Sequence, residues 1–269
     1  FAAPYRYGRL GNSYLDGLGD RYALETLLSV KYAFAVAGGP PPAPGYRPWG
    51  RAGEVAIWEN RAFVPFGSVY RRVVSEERLA GARAGGTAED PTDGSSPLSP
   101  PARDLVAFAA AIVPAEEMER TGLPRLPEEA IRERREAAGD PEGFERLYLE
   151  DARRLGKNHL RIDRFSHHEI AGTVETAGPG LLFFPVPAEP GWRFFVDGER
   201  RESVVVHYGF QGLPVRAGER RIRLSYVPPL LEPAVAVSLA SLAAFGIWFV
   251  VLPLAGRLRR PGGPGDVSR

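Results

Sequence analysis

The chain has no cysteine and a single methionine in 269 residues. Without thiols there are no disulfides, no thiolate metal sites and no cysteine nucleophiles. The redox compartment stays open, because a bacterial extracytoplasmic domain can also do without Cys. Lysine is nearly missing too. Only Lys31 and Lys157 occur, so 32 of the 34 basic residues are arginine. With Ala, Gly and Pro abundant, this reads as GC-rich coding. Neither sign of charge dominates, with 34 basic against 33 acidic residues. That balance gives no electrostatic reason to expect a nucleic-acid partner. The sequence starts at Phe1, with no initiator Met and no basic-then-apolar signal peptide in it. The chain therefore reads as a piece of a longer protein or a processed product.

Catalytic signatures are equally scarce. No GxSxG, GxxxxGK[ST] or GxGxxG occurs. The four histidines are His159, His167, His168 and His207, and no HxH or HExxH spacing joins them. His167 and His168 are expected to be neighbours in a strand, with rings on opposite faces. Asp16, Glu59 and Asp197 lie near aromatics, as acids do in many sugar sites. Each also stands where turns commonly place acidic residues, and the structural reading is preferred. In "PGWRFFVDGER" the period of two makes Trp192, Phe194 and Val196 packing residues. Asp197–Gly198 is a two-residue hairpin signal, with the return strand running from about Arg200 through "SVVVHY". No catalytic, cofactor-binding or metal-ligating residue is assigned, and no cofactor.

What the chain does have is organisation. Residues 1–83 predict a turn-rich entry, a short helix, a strand at Val30–Val36, a proline-rich loop "GGPPPAPGYRP", strands near 54–58 and 62–71, and a short helix near 75–83. Residues 84–101 form a low-complexity linker. The segment 102–157 is helical in composition. "ARDLVAFAAAIVP" is either a helix or a buried strand. Two charged helices near 127–138 and 141–155 follow, their charges read as a solvated face. From 158 to 230 six short strand candidates predict an antiparallel β-sandwich or jelly-roll-like sheet. The fold class expected is α+β, mainly this sandwich with a helical insertion, followed by one C-terminal transmembrane helix. The last element rests on the 24 uncharged residues from Pro233 to Gly256, assigned as a span over 231–256. Such a helix would be about 36 Å long against a hydrocarbon core of about 30 Å. Arg257, Arg259 and Arg260 suggest a cytoplasmic tail over 257–269, leaving residues 1–232 outside the cytoplasm.

The blocks "LLSVKYAF", "VAIWENRAFVPFGSVYRRV" and "IAGTVETAGPGLLFFPVPAEPGWRFFVDGERRESVVVHYGFQGLPVRAGERRIRLSYVPP", in this order, resemble the C-terminal part of the bacterial YfhO-type membrane proteins. The resemblance covers about 1–72 and 158–256. It implies a GT-C-type glycosyltransferase acting at the cell envelope, with a polyprenyl-phosphate-sugar donor and a glycan or lipid-linked acceptor. It also implies that the catalytic acid lies in an early loop not in this chain, so that this fragment alone is inactive. The alternative is a non-catalytic, membrane-anchored β-sandwich binding glycan or a protein partner, using aromatics such as Trp49, Trp58 and Tyr208. In either case the membrane bilayer is a partner.

Overall fold

A computed structural model describes residues 22–43, 45–81 and 98–251. Asp16 and most of the linker expected over 84–101 lie outside them, as do 252–256 of the expected span and the tail 257–269. The chain divides into two units, Phe1–Ser225 and Tyr226–Arg269.

In the first unit, helix α1 (Tyr22–Leu27) leads into strands β1 (Tyr32–Val36), β2 (Tyr46–Ala52) and β3 (Val55–Asn60). These make an antiparallel sheet in the order β1-β3-β2. Strand β2 takes in the last three residues, Tyr46 to Pro48, of the proline-rich stretch read as loop. Pro48 is tolerated because β2 is an edge strand, where a missing N–H breaks no ladder. Next come β4 (Ser68–Tyr70), β5 (Val73–Ser75) and α2 (Glu76–Ala80). Helix α3 (Pro100–Ala109) is capped by Ser99, whose side chain accepts from the Ala102 N–H, and it begins on prolines. The apolar run then changes form and β6 (Ala111–Val113) pairs in parallel with β5. "ARDLVAFAAAIVP" is thus a helix followed by a strand.

After α4 (Met118–Thr121), helices α5 (Glu128–Ala137) and α6 (Pro141–Lys157) form the expected pair. Asp140 caps α6, accepting from Gly143 N–H at 2.9 Å, with Pro141 in the first turn. Their charges are not all solvated. Arg134 and Asp151 are buried and pair at 2.6 Å, and Arg154 reaches the other Asp151 oxygen at 2.9 Å.

Eight strands complete this unit: β7 (Arg161–Phe165), β8 (Glu169–Thr176), β9 (Gly180–Pro187), β10 (Trp192–Val196), β11 (Glu199–Arg201), β12 (Val204–Val206), β13 (Phe210–Val215) and β14 (Gly218–Tyr226). They form a five-stranded sheet, β11-β10-β14-β8-β7, and a four-stranded one, β12-β13-β9-β4. Ile170, Val174, Phe194, Ile222 and Leu224 from the first sheet share a core with Val69, Leu182, Phe184, Leu213 and Val215 from the second. The alternate residues of β9, Leu181 and Phe183, join the other core, with Leu105 and Phe108 of α3 and Tyr148 of α6. Strand β9 is buried on both faces, which is why "GLLFF" reads as a continuous apolar run. The return from Asp197–Gly198 differs from expectation. Strand β11 ends at Arg201, and Val204–Val206 belong to the other sheet, so the chain changes sheets at Glu202–Ser203.

In the second unit, helix α7 covers Leu231–Gly246 and continues as a π-helical turn, Ile247–Val251. This corrects the expected C-terminal transmembrane helix. Among the described residues no helix is long and apolar enough to cross a membrane. The regular helix has 16 residues, about 24 Å of rise against the roughly 30 Å required. The α-helical hydrogen-bond ladder changes register over Ile247–Val251.

Candidate functional site

The residues weighed from sequence do not converge. Glu59 lies on β3 and is taken up by Arg47 at 2.6 Å. Asp197 sits at φ 53° and Gly198 at φ 88°, the pair of positive φ values that a tight hairpin between β10 and β11 requires. The Asp197 carboxylate accepts from the Arg221 N–H at 2.9 Å and from Arg220 at 3.4 Å. It is a corner of the backbone. Trp49 is exposed and rests against Tyr32, with centroids 5.2 Å apart. Trp58 is half-buried on β3, and Tyr208 packs against the helical core. These three aromatics form no common surface.

The histidines are placed differently from each other. His167 and His168 lie in the turn between β7 and β8, with ring centroids 5.0 Å apart, and do not face opposite sides of a strand. His207 is buried between Phe183 and Tyr70, at 4.9 and 5.2 Å. Burial lowers its pKa from 6.5 to about 3. His159 meets the Gly156 carbonyl through Nδ1 at 2.9 Å. Among the described residues no three His, Cys, Asp or Glu side chains group as a metal site would need.

A cleft of about 760 Å³ does gather residues from six places in the sequence. Its formation follows from how β7 enters. Asn158 and Leu160 first hydrogen-bond alongside β4, through Val69 N–H at 2.9 Å and Gly67 carbonyl at 2.9 Å. The chain then crosses to the edge of the five-stranded sheet as β7. Gly67 makes the crossing possible. It has φ 75°, and a Cβ there would stand 2.6 Å from the Leu160 Cβ. The corner leaves an open flank where Phe63 and Phe66, Phe165, and Trp192 at the start of β10 meet. Phe66 contacts Phe165 edge-on at 6.2 Å, and Phe165 is 68 % exposed. Ser29, His159, Arg161, Ser166 and His167 supply polar atoms around these rings.

The chemistry available there is binding. Aromatic rings offer flat apolar faces, and imidazoles, hydroxyls and one guanidinium offer hydrogen bonds at the rim. Among the described residues no carboxylate lines the cleft. The sequence could not point to this site, because its members are scattered from Leu28 to Trp192 and most read as core or turn residues.

Comparison with known families adds the second finding. The family model described as bacterial membrane protein YfhO matches residues 146–238. The match takes in α6 from Arg146 onward, the strands β7 to β14 and the start of α7, 93 of the 269 residues, so this strand-rich third of the chain is similar to a bacterial membrane protein family. The blocks quoted from residues 1–72 lie outside it. No curated protein and no solved structure matches the chain.

Proposed function

We propose that this chain is the C-terminal portion of a membrane-associated, glycosyltransferase-like protein of the bacterial cell envelope. On this reading residues 1–225 form a domain outside the cytoplasm that holds the glycan or lipid-linked acceptor. The transfer step, from a polyprenyl-phosphate-sugar donor, is carried by residues elsewhere in the protein. The observation that carries the reading is the cleft: aromatic faces rimmed by polar groups suit the alternating apolar and hydroxylated surfaces of a sugar ring. The match to a bacterial membrane protein family supports the compartment. The exposed apolar side chains of α7, among them Leu239, Leu242 and Phe245, supply surface suited to lipid contact.

The test is calorimetric titration of the chain with envelope-derived oligosaccharides. Removing one stacking ring, by Trp192→Ala or Phe165→Ala, should weaken binding about tenfold. Unchanged affinity in both variants would remove the cleft from the function. The same variants in the longer protein should raise the acceptor KM and leave donor use unchanged. A cleft that bound glycan without affecting transfer would favour the plain glycan-binding module instead.

A further inference from the structure

The outer face of the five-stranded sheet is arginine-rich in a way that only the strand register reveals. Residues alternating with the buried Phe194, Ile222, Leu224, Ile170 and Val174 must point outward. Register places Arg221 and Arg161 on either side of Thr173, and Arg223 and Arg164 on either side of Ala171. Arg200 stands opposite Phe195, and the Arg223 guanidinium lies 3.9 Å from the Phe195 ring centre. With Arg193 on β10, six guanidiniums share this face with Glu169, Glu175 and Glu219, and Asp163 occupies the bulge of β7 beside Arg164. The whole chain carries a formal charge of only +1, so an excess of at least two on one sheet face is a sorted distribution.

We propose that this face docks on an anionic bilayer surface, each arginine taking lipid phosphate. The inference rests on the membrane reading given above. Three observations favour a lipid surface over a soluble polyanion. The face has small residues, Ala171 and Thr173, at its centre, each between two arginines. Glu169 and Glu175 stand at the two ends of β8, so a polyanion laid along that strand would meet a carboxylate at each end. A bilayer has independently mobile headgroups that can set phosphates opposite arginines only. Finally, β14 runs directly into the unit that bears the exposed apolar helix. Four residues lie between Tyr226 and Leu231, and the five steps span at most about 18 Å. Of the ion pairs that docking would disturb, Arg161–Glu219 and Arg223–Glu169 are long, at 3.8 and 3.9 Å, while Arg164 holds Glu169 directly at 3.0 Å. The two long pairs contribute little and exchange readily for phosphate; Arg164 would meet phosphate as a neighbour of Glu169.

The chain lacks cysteine, so Thr173→Cys gives a unique attachment point for an environment-sensitive fluorophore at the centre of the face. The labelled full chain is mixed with phosphatidylcholine vesicles with and without phosphatidylglycerol. The label should respond only to the anionic vesicles, and high salt should reverse the response. Arg200→Gln with Arg221→Gln should weaken that response on the order of twentyfold, from about fivefold per charge. The corresponding double lysine variant should retain most of it. An equal response to neutral vesicles, or no effect of the glutamine variant, would overturn the proposal. So would a response to soluble polyphosphate with none to vesicles. Co-sedimentation with neutral vesicles, read in parallel, tests membrane association separately. Co-sedimentation without a label response sinks the docking face alone. A label response to anionic vesicles without neutral co-sedimentation sinks the apolar attachment alone.

Discussion

His207 shows how burial alone can make a residue pH-sensitive. Neither ring nitrogen has a hydrogen-bond partner among the described residues, and the imidazole is packed against Tyr70 and Phe183. In the unfolded chain it titrates near 6.5; in the fold, desolvation lowers this to about 3. Below 6.5 the unfolded chain therefore takes up a proton that the folded one refuses. Stability should fall as pH drops from about 6.5 toward 3, by up to about 1.4 kcal/mol per pH unit. Above that window His207 should contribute no pH dependence. Urea unfolding of wild type and His207→Phe across the window checks this. Carboxylate contributions are common to both proteins, so only the wild type should show the additional slope. At the opposite extreme stands Asp197, an acid whose work is geometric. Asp197→Asn keeps an oxygen for the Arg221 N–H and keeps a residue that tolerates positive φ, so the melting temperature should barely move. Gly198→Val meets nothing within 4 Å, yet it places a β-branched residue at φ 88°. Backbone strain alone should cost about 1–3 kcal/mol, read as a lowered unfolding midpoint.

Among elements, a buried ion pair joins two helices whose charges looked solvated. Asp151 is buried, receives Arg134 from α5 and Arg154 from its own helix, and Arg154 also donates to the carbonyls of Phe108 and Ala109 at the end of α3. Asp151→Ala would strand the buried Arg134 guanidinium and should destabilise by about 3–5 kcal/mol. Adding Arg134→Met should recover much of the loss in a double-mutant cycle; additive costs would refute the coupling. A similar local demand holds at Gly172, where a Cβ would stand 2.2 Å from the Arg161 carbonyl oxygen on β7. These features mark what a sequence can and cannot disclose. The Asp197–Gly198 hairpin and the start of α6 at Asp140–Pro141 were legible because their signals are local: positive φ, a capping carboxylate, a proline in the first turn. The ion pair, the sheet change at Glu202–Ser203 and the strand hidden behind Pro48 were not. Each depends on which neighbour the chain meets, and charge pattern or proline count carries no information on that. The cleft belongs with these, since Phe63 and Trp192 become partners only after two sheets have packed.

For the whole molecule, the question is what holds the first unit together. Among the described residues, those of both core clusters lie at or before Leu224. The helix of the second unit instead exposes large apolar side chains, with Leu242 at 68 % and Trp248 at 67 %. A 16-residue helix with this surface gains nothing from water and cannot cross a bilayer as a regular α-helix within the described residues. Its apolar surface is suited to contact with lipid or another protein, whereas the sheets and helices of residues 22–225 close their own cores. A chain ended at Tyr226 should therefore keep β14 whole and lose only exposed apolar surface. It should melt cooperatively within a few degrees of the full chain and run as a monomer without detergent, while the full chain should associate unless detergent or lipid is present. Circular dichroism melts and gel filtration of the two proteins decide this. A truncated chain that is unfolded, or that still aggregates, would mean that the second unit supplies packing to the first and that its apolar surface is turned inward in solution.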